Sequence, residues 1–133
     1  MLKYALDSNA VSDLIRANKE ITRHFNDAID AGSILFIPSI ARYEVMRGLI
    51  TGGKHAQIRK FNEICELADY LPFDENAAEK AIEIYVKLHK GKVIEDNDIF
   101  IAAISIVNDC TLVTANTRHF ERVEGLNFVN WRN

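Results

Sequence analysis

The segment Val93-Ile94-Glu95-Asp96-Asn97-Asp98-Ile99-Phe100-Ile101-Ala102-Ala103-Ile104 joins a cluster of acids directly to an apolar run. From Ile99 to Val107, the only polar residue is Ser105. A helix that is apolar on all sides is expected to be buried. Asp98 is a good N-cap for this helix, because the positive end of the helix dipole favours an ionised carboxylate. Alternatively, Asp98 faces a cavity and helps to bind a divalent metal ion.

The composition predicts one soluble domain that spans residues 1–133. The chain is 48% hydrophobic and 26% charged, with a formal net charge of −3, which is typical of a globular protein. This charge does not indicate nucleic-acid binding, but an enzyme with acids in one pocket can carry basic residues around its rim. Cys65 and Cys110 lack metal-ligand spacing and are predicted to be core thiols. No signal-peptide or membrane-spanning pattern is present, so we expect a cytoplasmic protein.

Short apolar strands alternate with helical segments along the chain. The predicted strands are Leu2–Leu6, Ile34–Ile37, Tyr70–Phe73, Thr111–Thr114 and Asn127–Val129. The predicted helices are Ala10–Arg16, Lys19–Ala31, Ile40–Leu49 with Ser39 as its cap, Ala56–Ala68, Glu75–Lys90 with Gly91-Lys92 as its stop, the buried helix after Asp98, and one turn over Thr117–Phe120. This alternation favours an α/β fold with a short, mostly parallel central sheet and helices on both faces.

Three acids are placed where they could meet at one edge of such a sheet. Asp7 follows the first strand, Glu44 lies on the helix after the second, and Asp98 begins the helix that leads into the Thr111–Thr114 strand. In parallel α/β sheets, ligands bind beyond the carboxyl ends of the strands. These acids also have simpler explanations, with Asp7 as a helix cap and Glu44 as a solvated helix residue. Asn116, which lies past the last main strand near the same edge, could likewise be a turn former.

The chemistry of clustered carboxylates indicates a metal site. Carboxylates that lie together repel each other and raise each other's pKa unless a cation neutralises them. Their hard oxygen ligands suit Mg²⁺ or Mn²⁺. Such an ion can polarise a phosphodiester, activate an attacking water and stabilise the leaving oxygen. The pattern therefore favours phosphodiester hydrolysis without a protein nucleophile.

The chain resembles the PIN-domain nucleases, and in particular the VapC-type toxins of toxin–antitoxin modules. The resemblance covers nearly the whole length and rests on the order and spacing of four motifs. They are Leu6-Asp7-Ser8-Asn9, Ser39-Ile40-Ala41-Arg42-Tyr43-Glu44, Asn97-Asp98-Ile99-Phe100-Ile101-Ala102-Ala103 and Leu112-Val113-Thr114-Ala115-Asn116-Thr117-Arg118-His119-Phe120.

The resemblance implies an endoribonuclease that depends on Mg²⁺ or Mn²⁺. Asp7, Glu44 and Asp98 match the metal-binding acids of the family and are the expected catalytic residues. The supporting residues are Asn9, Thr114 and Asn116, and the expected RNA-phosphate contacts are Arg42, Arg47 and Arg118. The family often has a fourth acid near the end of the last main strand, where this chain carries Asn116 and His119. Either a second metal is missing or Asp96 completes the cluster.

Partners follow from the same resemblance. It implies a VapB-type antitoxin that blocks the acidic pocket, an RNA substrate, expected to be tRNA, a homodimer and no membrane. Two alternatives stay open. One is a catalytically weak PIN-like module that binds RNA or protein. The other is a phosphatase or receiver-like domain with Asp7 as nucleophile, although Leu6-Asp7-Ser8-Asn9 lacks the second acid that such sites use.

Overall fold

The computed structural model describes residues 2–91 and 93–133, and in these residues five strands form one sheet. The strands are β1 (Lys3–Leu6), β2 (Ile34–Pro38), β3 (Asp69–Leu71), β4 (Thr111–Val113) and β5 (Phe128–Val129). Their order is β3-β2-β1-β4-β5, and every neighbouring pair is parallel. The predicted α/β fold is confirmed, and the described sheet is entirely rather than mostly parallel.

Seven helices surround this sheet in the described ranges. They are α1 (Ser8–Ile15), α2 (Lys19–Asp30), α3 (Ser39–Thr51), α4 (His55–Glu66), α5 (Glu75–Leu88), α6 (Asp96–Val107) and α7 (Thr117–Phe120). None of the described helices is long and apolar enough to cross a membrane. Both cysteines are free thiols; Cys110 lies in the core as predicted, whereas Cys65 is only partly buried against it. Burial raises the pKa of the Cys110 thiol to about 11.

The chain connects its strands in two opposite directions across the sheet, and the switch point lies between β1 and β4. It moves outward from β1 to β2 and β3, and then returns to the other side of β1 to form β4 and β5. With right-handed crossovers, this reversal places α1–α4 on one face and α5–α6 on the other. Ligands of parallel sheets bind at such a switch point. Because Leu6 pairs with Val113 there, Asp7 and Thr114 follow side by side.

The predicted buried helix is confirmed as α6, although its N-cap lies three residues earlier than predicted. Ile99 and all residues from Ile101 to Ser105 are buried. The N-cap is Glu95, whose carbonyl accepts from the Ile99 amide at 3.1 Å. Asp98 is therefore not the N-cap but the third helical residue, in a first turn that also contains Asp96. The positive helix end favours both acids, so the cap rule alone could not choose between them.

Other predicted details were wrong at the helix surfaces and ends. Ser39 is the first residue of α3 rather than its cap, because Pro38 takes the cap position. The apolar residues that recur at helical spacing in α5 include Ile82 and Tyr85, yet both are exposed, and Ile84 is buried. The helix is apolar around much of its circumference, so several stripes fitted the sequence. The α5 helix ends at Leu88, and Lys92 of the predicted stop lies outside the described residues.

Candidate active site

Asp7 is a buried carboxylate at the carboxyl end of β1. It is 5% exposed and caps α1, with its Oδ1 accepting from the Ala10 amide at 2.8 Å. The pKa of Asp7 is raised to about 6, mainly by burial and less by the charges of Asp98 and Asp13, while hydrogen bonds from Thr114 and Ala10 oppose the rise. A carboxylate with this environment gains from a neighbouring cation, because the cation would offset the cost of desolvation.

Thr114 joins the end of β4 to Asp7. Its side chain is fully buried and donates a hydrogen bond to the Asp7 carboxylate. Its Oγ1 accepts from the Asn116 backbone amide at 2.9 Å. One hydroxyl therefore orients the carboxylate and shapes the turn after β4. This arrangement explains why a polar side chain lies in an otherwise apolar core.

Asp98 contacts a histidine rather than another acid. Its Oδ2 lies 3.2 Å from Nδ1 of His119, and the same Nδ1 lies 2.8 Å from Nδ2 of Asn116. A protonated Nδ1 donates to Asp98, whereas an unprotonated Nδ1 accepts from the Asn116 amide. His119 thus links two elements, α6 and α7, across the carboxyl edge of the sheet.

Glu44 approaches the same region from α3. Its Oε2 accepts from Nδ2 of Asn97 at 3.1 Å, and Asn97 is the sequence neighbour of Asp98. Its other oxygen, Oε1, is buried and has no hydrogen-bond partner among the described residues. A buried carboxylate oxygen without a donor is unfavourable, so it needs a cation or a solvent molecule to complete it.

The donor set fits a hard divalent cation. Asp7, Glu44 and Asp98 offer oxygen ligands, and the unpartnered Glu44 Oε1 is the atom that such an ion would satisfy. Within residues 2–91 and 93–133, no three acidic, histidine or cysteine side chains are already arranged close enough to hold a metal. Hydrogen bonds from His119 and Asn97 instead occupy one oxygen each of Asp98 and Glu44.

The remaining predicted site residues lie further out. Asn9 is exposed on α1, and Asp96 is exposed and lines an apolar surface cavity beside α5. Arg42 donates to the Tyr70 hydroxyl at 2.9 Å, while the guanidinium of Arg47 lies 4.9 Å from the Tyr43 ring centre. Arg118 is exposed on α7.

Two polar contacts near the site were not predicted from the sequence. One is the Asn97–Glu44 hydrogen bond, and the other joins buried Asp13 of α1 to Arg132 through contacts of 2.7 and 3.1 Å. The available signal for Asp13 was its position beside Leu14, three residues after Ala10, on the buried face of α1. An acid at that position predicts a buried charge that requires a partner.

We expect Asp7→Asn to stabilise the metal-free protein at neutral pH. A folded-state pKa of about 6, against an ordinary value of 3.8, means that the folded chain binds more protons than the unfolded chain between these values. Stability therefore falls as the pH rises from about 4 to 6, and ionised Asp7 costs about 3 kcal/mol at pH 7. Asparagine keeps the helix cap without this cost. The free energy of unfolding of the variant should therefore exceed that of the wild type by about 2–3 kcal/mol at pH 7 and equal it near pH 4.

Chemical denaturation at both pH values, in EDTA, measures this difference. Asp74→Asn is the matched control, because Asp74 also caps a helix, through a 3.0 Å hydrogen bond from the Ala77 amide, but is exposed. This control should show little change between the two pH values. An Asp7→Asn variant that is less stable than the wild type at pH 7 would contradict the proposed cost of the buried charge.

Comparison with known proteins relates this geometry to a family. Residues 4–126 match the PIN domain family. The ribonuclease VapC2 of Haemophilus influenzae is 36% identical, over 98% of this chain and 99% of the relative. Both alignments extend over most of the sheet and include Asp7, Glu44 and Asp98.

Solved structures show the same architecture. The VapBC2 structure from Rickettsia felis, bound to a promoter DNA fragment, contains a chain that matches with a TM-score of 0.90 at 24% identity, over 98% of this chain and 99% of that one. A chain of the DNA-bound VapBC structure from Salmonella typhimurium matches with a TM-score of 0.83 at 27% identity, over 98% and 99% of the two chains. The fold is therefore shared along the full length of these chains.

Proposed function

The chain belongs to the PIN domain family, among its VapC ribonucleases, and from this we propose that it is a Mg²⁺- or Mn²⁺-dependent endoribonuclease that acts as a toxin. The observation that carries the metal dependence is the buried Oε1 of Glu44, which has no hydrogen-bond partner among the described residues, while Oε2 accepts from Asn97, the sequence neighbour of Asp98. Buried Asp7 at the adjacent strand end supports it.

We assign Asp7, Glu44 and Asp98 as the residues that would hold the cation. When bound, a divalent cation supplies charge stabilisation for hydrolysis of the phosphodiester by water. The chain itself fixes the ligands: Thr114 and the Ala10 amide orient Asp7, Asn97 orients Glu44, and His119 orients Asp98. Such hydrogen-bonded partners reduce the reorganisation that is needed when a charge arrives.

Arginines outside the acidic site could supply the complementary charge for RNA. Arg42 and Arg47 lie on α3 with Glu44, and Arg118 lies on α7 with His119. We propose that they contact substrate phosphates, which would position the scissile bond over the acids. Tyr43 and Tyr70 lie against Arg47 and Arg42, respectively, and keep these guanidinium groups at the surface.

The expected substrate is tRNA, and incubation of purified total tRNA with the isolated protein tests this proposal. We expect defined fragments with Mg²⁺ or Mn²⁺. Ribosomal and messenger RNA, treated in parallel, show whether tRNA is preferred. Cleavage confined to those RNAs would overturn the choice of tRNA but leave the nuclease intact. Tight RNA binding without cleavage of any of the three would favour the alternative function, a PIN-like binding module.

The similarity to chains of solved VapBC structures supports a protein partner. Because the matching chains belong to VapBC structures, we propose that a VapB-type antitoxin binds this chain and blocks its acidic site. A small protein encoded by a neighbouring reading frame is the candidate. Adding it in equal amount should suppress RNA cleavage, and unchanged cleavage in a stable complex would contradict blockage of the site.

We also propose a homodimer, through the apolar side of α5. Ile82, Tyr85 and Val86 are 63%, 48% and 56% exposed. Ile82 and Tyr85 line an open cavity with Phe73 and Phe100. Apolar groups exposed together indicate an interaction surface. Light scattering should give twice the mass of 15.1 kDa, and Ile82→Glu should lower it to one chain. Leu67→Glu, at an exposed apolar residue outside this surface, should leave the measured mass unchanged. A monomeric wild type would exclude the dimer.

A further inference from the structure

The number of cations that the site can hold depends on its uncommitted carboxylate oxygens. Oδ1 of Asp7 accepts from the Ala10 amide, Oε2 of Glu44 accepts from Asn97, and Oδ2 of Asp98 contacts His119. Each acid thus has at least one protein donor, and Asp7 has a second one in Thr114. A pair of metal ions about 4 Å apart needs ligands on both sides and carboxylates that bridge them. Three acids that already bind protein donors offer few ligands for two ions, so they suit a single ion.

Neither of the nearest other acids can extend this ligand set. The Asp13 carboxylate is buried and paired with Arg132 through both oxygens, at 2.7 and 3.1 Å, with Arg16 also within 3.4 Å. Asp96 is exposed and lines the cavity formed with α5. Residues two apart on a helix point to different sides, so Asp96 and Asp98 cannot face the same ion.

His119 lies at the position from which a further acidic ligand could enter. Its Nδ1 lies 3.2 Å from Asp98 Oδ2. Because the His119 side chain is 44% exposed, a glutamate side chain at this position would fit without entering the core. The imidazole instead interacts with Asp98 and with Asn116. It therefore orients the Asp98 carboxylate and adds no negative charge to the site.

We propose that this site binds one divalent cation per chain, with His119 acting as a positioning residue for Asp98 where an acid would create a second cation site. The inference rests on the proposed function, because it assumes that Asp7, Glu44 and Asp98 bind a metal. It goes further by assigning the number of ions and the residue that limits it.

A Mn²⁺ titration of the full chain, followed by the electron paramagnetic resonance signal of free Mn²⁺, measures the number of bound ions without any use of activity. We expect one ion for the wild type and a second ion for His119→Glu. His55→Glu is the matched control, since His55 is exposed at the start of α4. This control should still bind one ion.

The possible outcomes separate this inference from the proposed function. Two ions bound to the wild type, or one ion bound to a folded His119→Glu variant, would overturn the single-ion inference and leave metal dependence standing. No Mn²⁺ bound to the wild type would overturn metal dependence, and the single-ion inference with it. A thermal melt of each variant by circular dichroism confirms that the compared chains are folded.

Discussion

Replacement of Asp98 by asparagine should lower the rate of RNA cleavage by at least about 100-fold, or about 3 kcal/mol of transition-state stabilisation. Asparagine has nearly the same size and can still interact with His119, which lies 3.2 Å from Asp98. It lacks the charge that binds a cation. The loss should therefore arise from weaker metal binding rather than from altered packing, and single-turnover cleavage of tRNA at several Mg²⁺ concentrations measures it.

Asp96→Asn is the matched control for this prediction. Asp96 lies in the same helical turn as Asp98 but is exposed and lines a different cavity. Its variant should cleave RNA within a few-fold of the wild type. The opposite result, in which Asp98→Asn remains active and Asp96→Asn does not, would show that Asp96 is the ligand and that our assignment of Asp98 is wrong.

Arg132→Met should lower the free energy of unfolding by about 2 kcal/mol. Its guanidinium pairs with buried Asp13 through two contacts, of 2.7 and 3.1 Å. Removing the guanidinium leaves a buried carboxylate whose only remaining charged partner among the described residues is the exposed Arg16, at 3.4 Å. Breaking a fully buried ion pair from one side costs several kcal/mol, and the cost is smaller here because the Arg132 side chain is 46% exposed and only Asp13 is buried. Urea denaturation at pH 7 measures this loss.

A second substitution tests whether the uncompensated charge is the cause. Asp13→Asn in the Arg132→Met background should recover part of the lost stability, because the charge itself is removed. Arg122→Met is the control, since Arg122 is exposed, and it should change stability by less than about 0.5 kcal/mol. If the double variant is no more stable than Arg132→Met, the loss comes from packing of the arginine stem instead.

The fold could be predicted because its signals are local. Each of the five described strands lies within or next to an apolar run that the sequence shows, and Asp7 follows the first of them. The parallel arrangement then brings Asp7 and Thr114 to one edge, as the Leu6–Val113 register shows. The residue at which α6 begins was harder to predict, because Glu95, Asp96 and Asp98 all suit a helix start and only tertiary packing selects among them.

The contacts that tune the site could not be predicted, because they join distant parts of the chain. Asp13 and Arg132 are 119 residues apart, and Glu44 and Asn97 are 53 apart. No periodicity links such residues. The His119–Asp98 contact was foreseeable only as a position near the site, since the sequence does not show which ring nitrogen faces the acid. The exposed faces of α5 depend likewise on packing against α6.

We propose that Asp7, Glu44 and Asp98 form a metal-dependent nuclease site. The most direct test is to remove bound metal with EDTA, remove the EDTA, and add Mn²⁺ stepwise while RNA cleavage and Mn²⁺ binding are followed in the same sample. We predict no cleavage in EDTA and a return of cleavage in proportion to bound Mn²⁺. Cleavage at the full rate in excess EDTA, by a preparation free of other nucleases, would contradict the account.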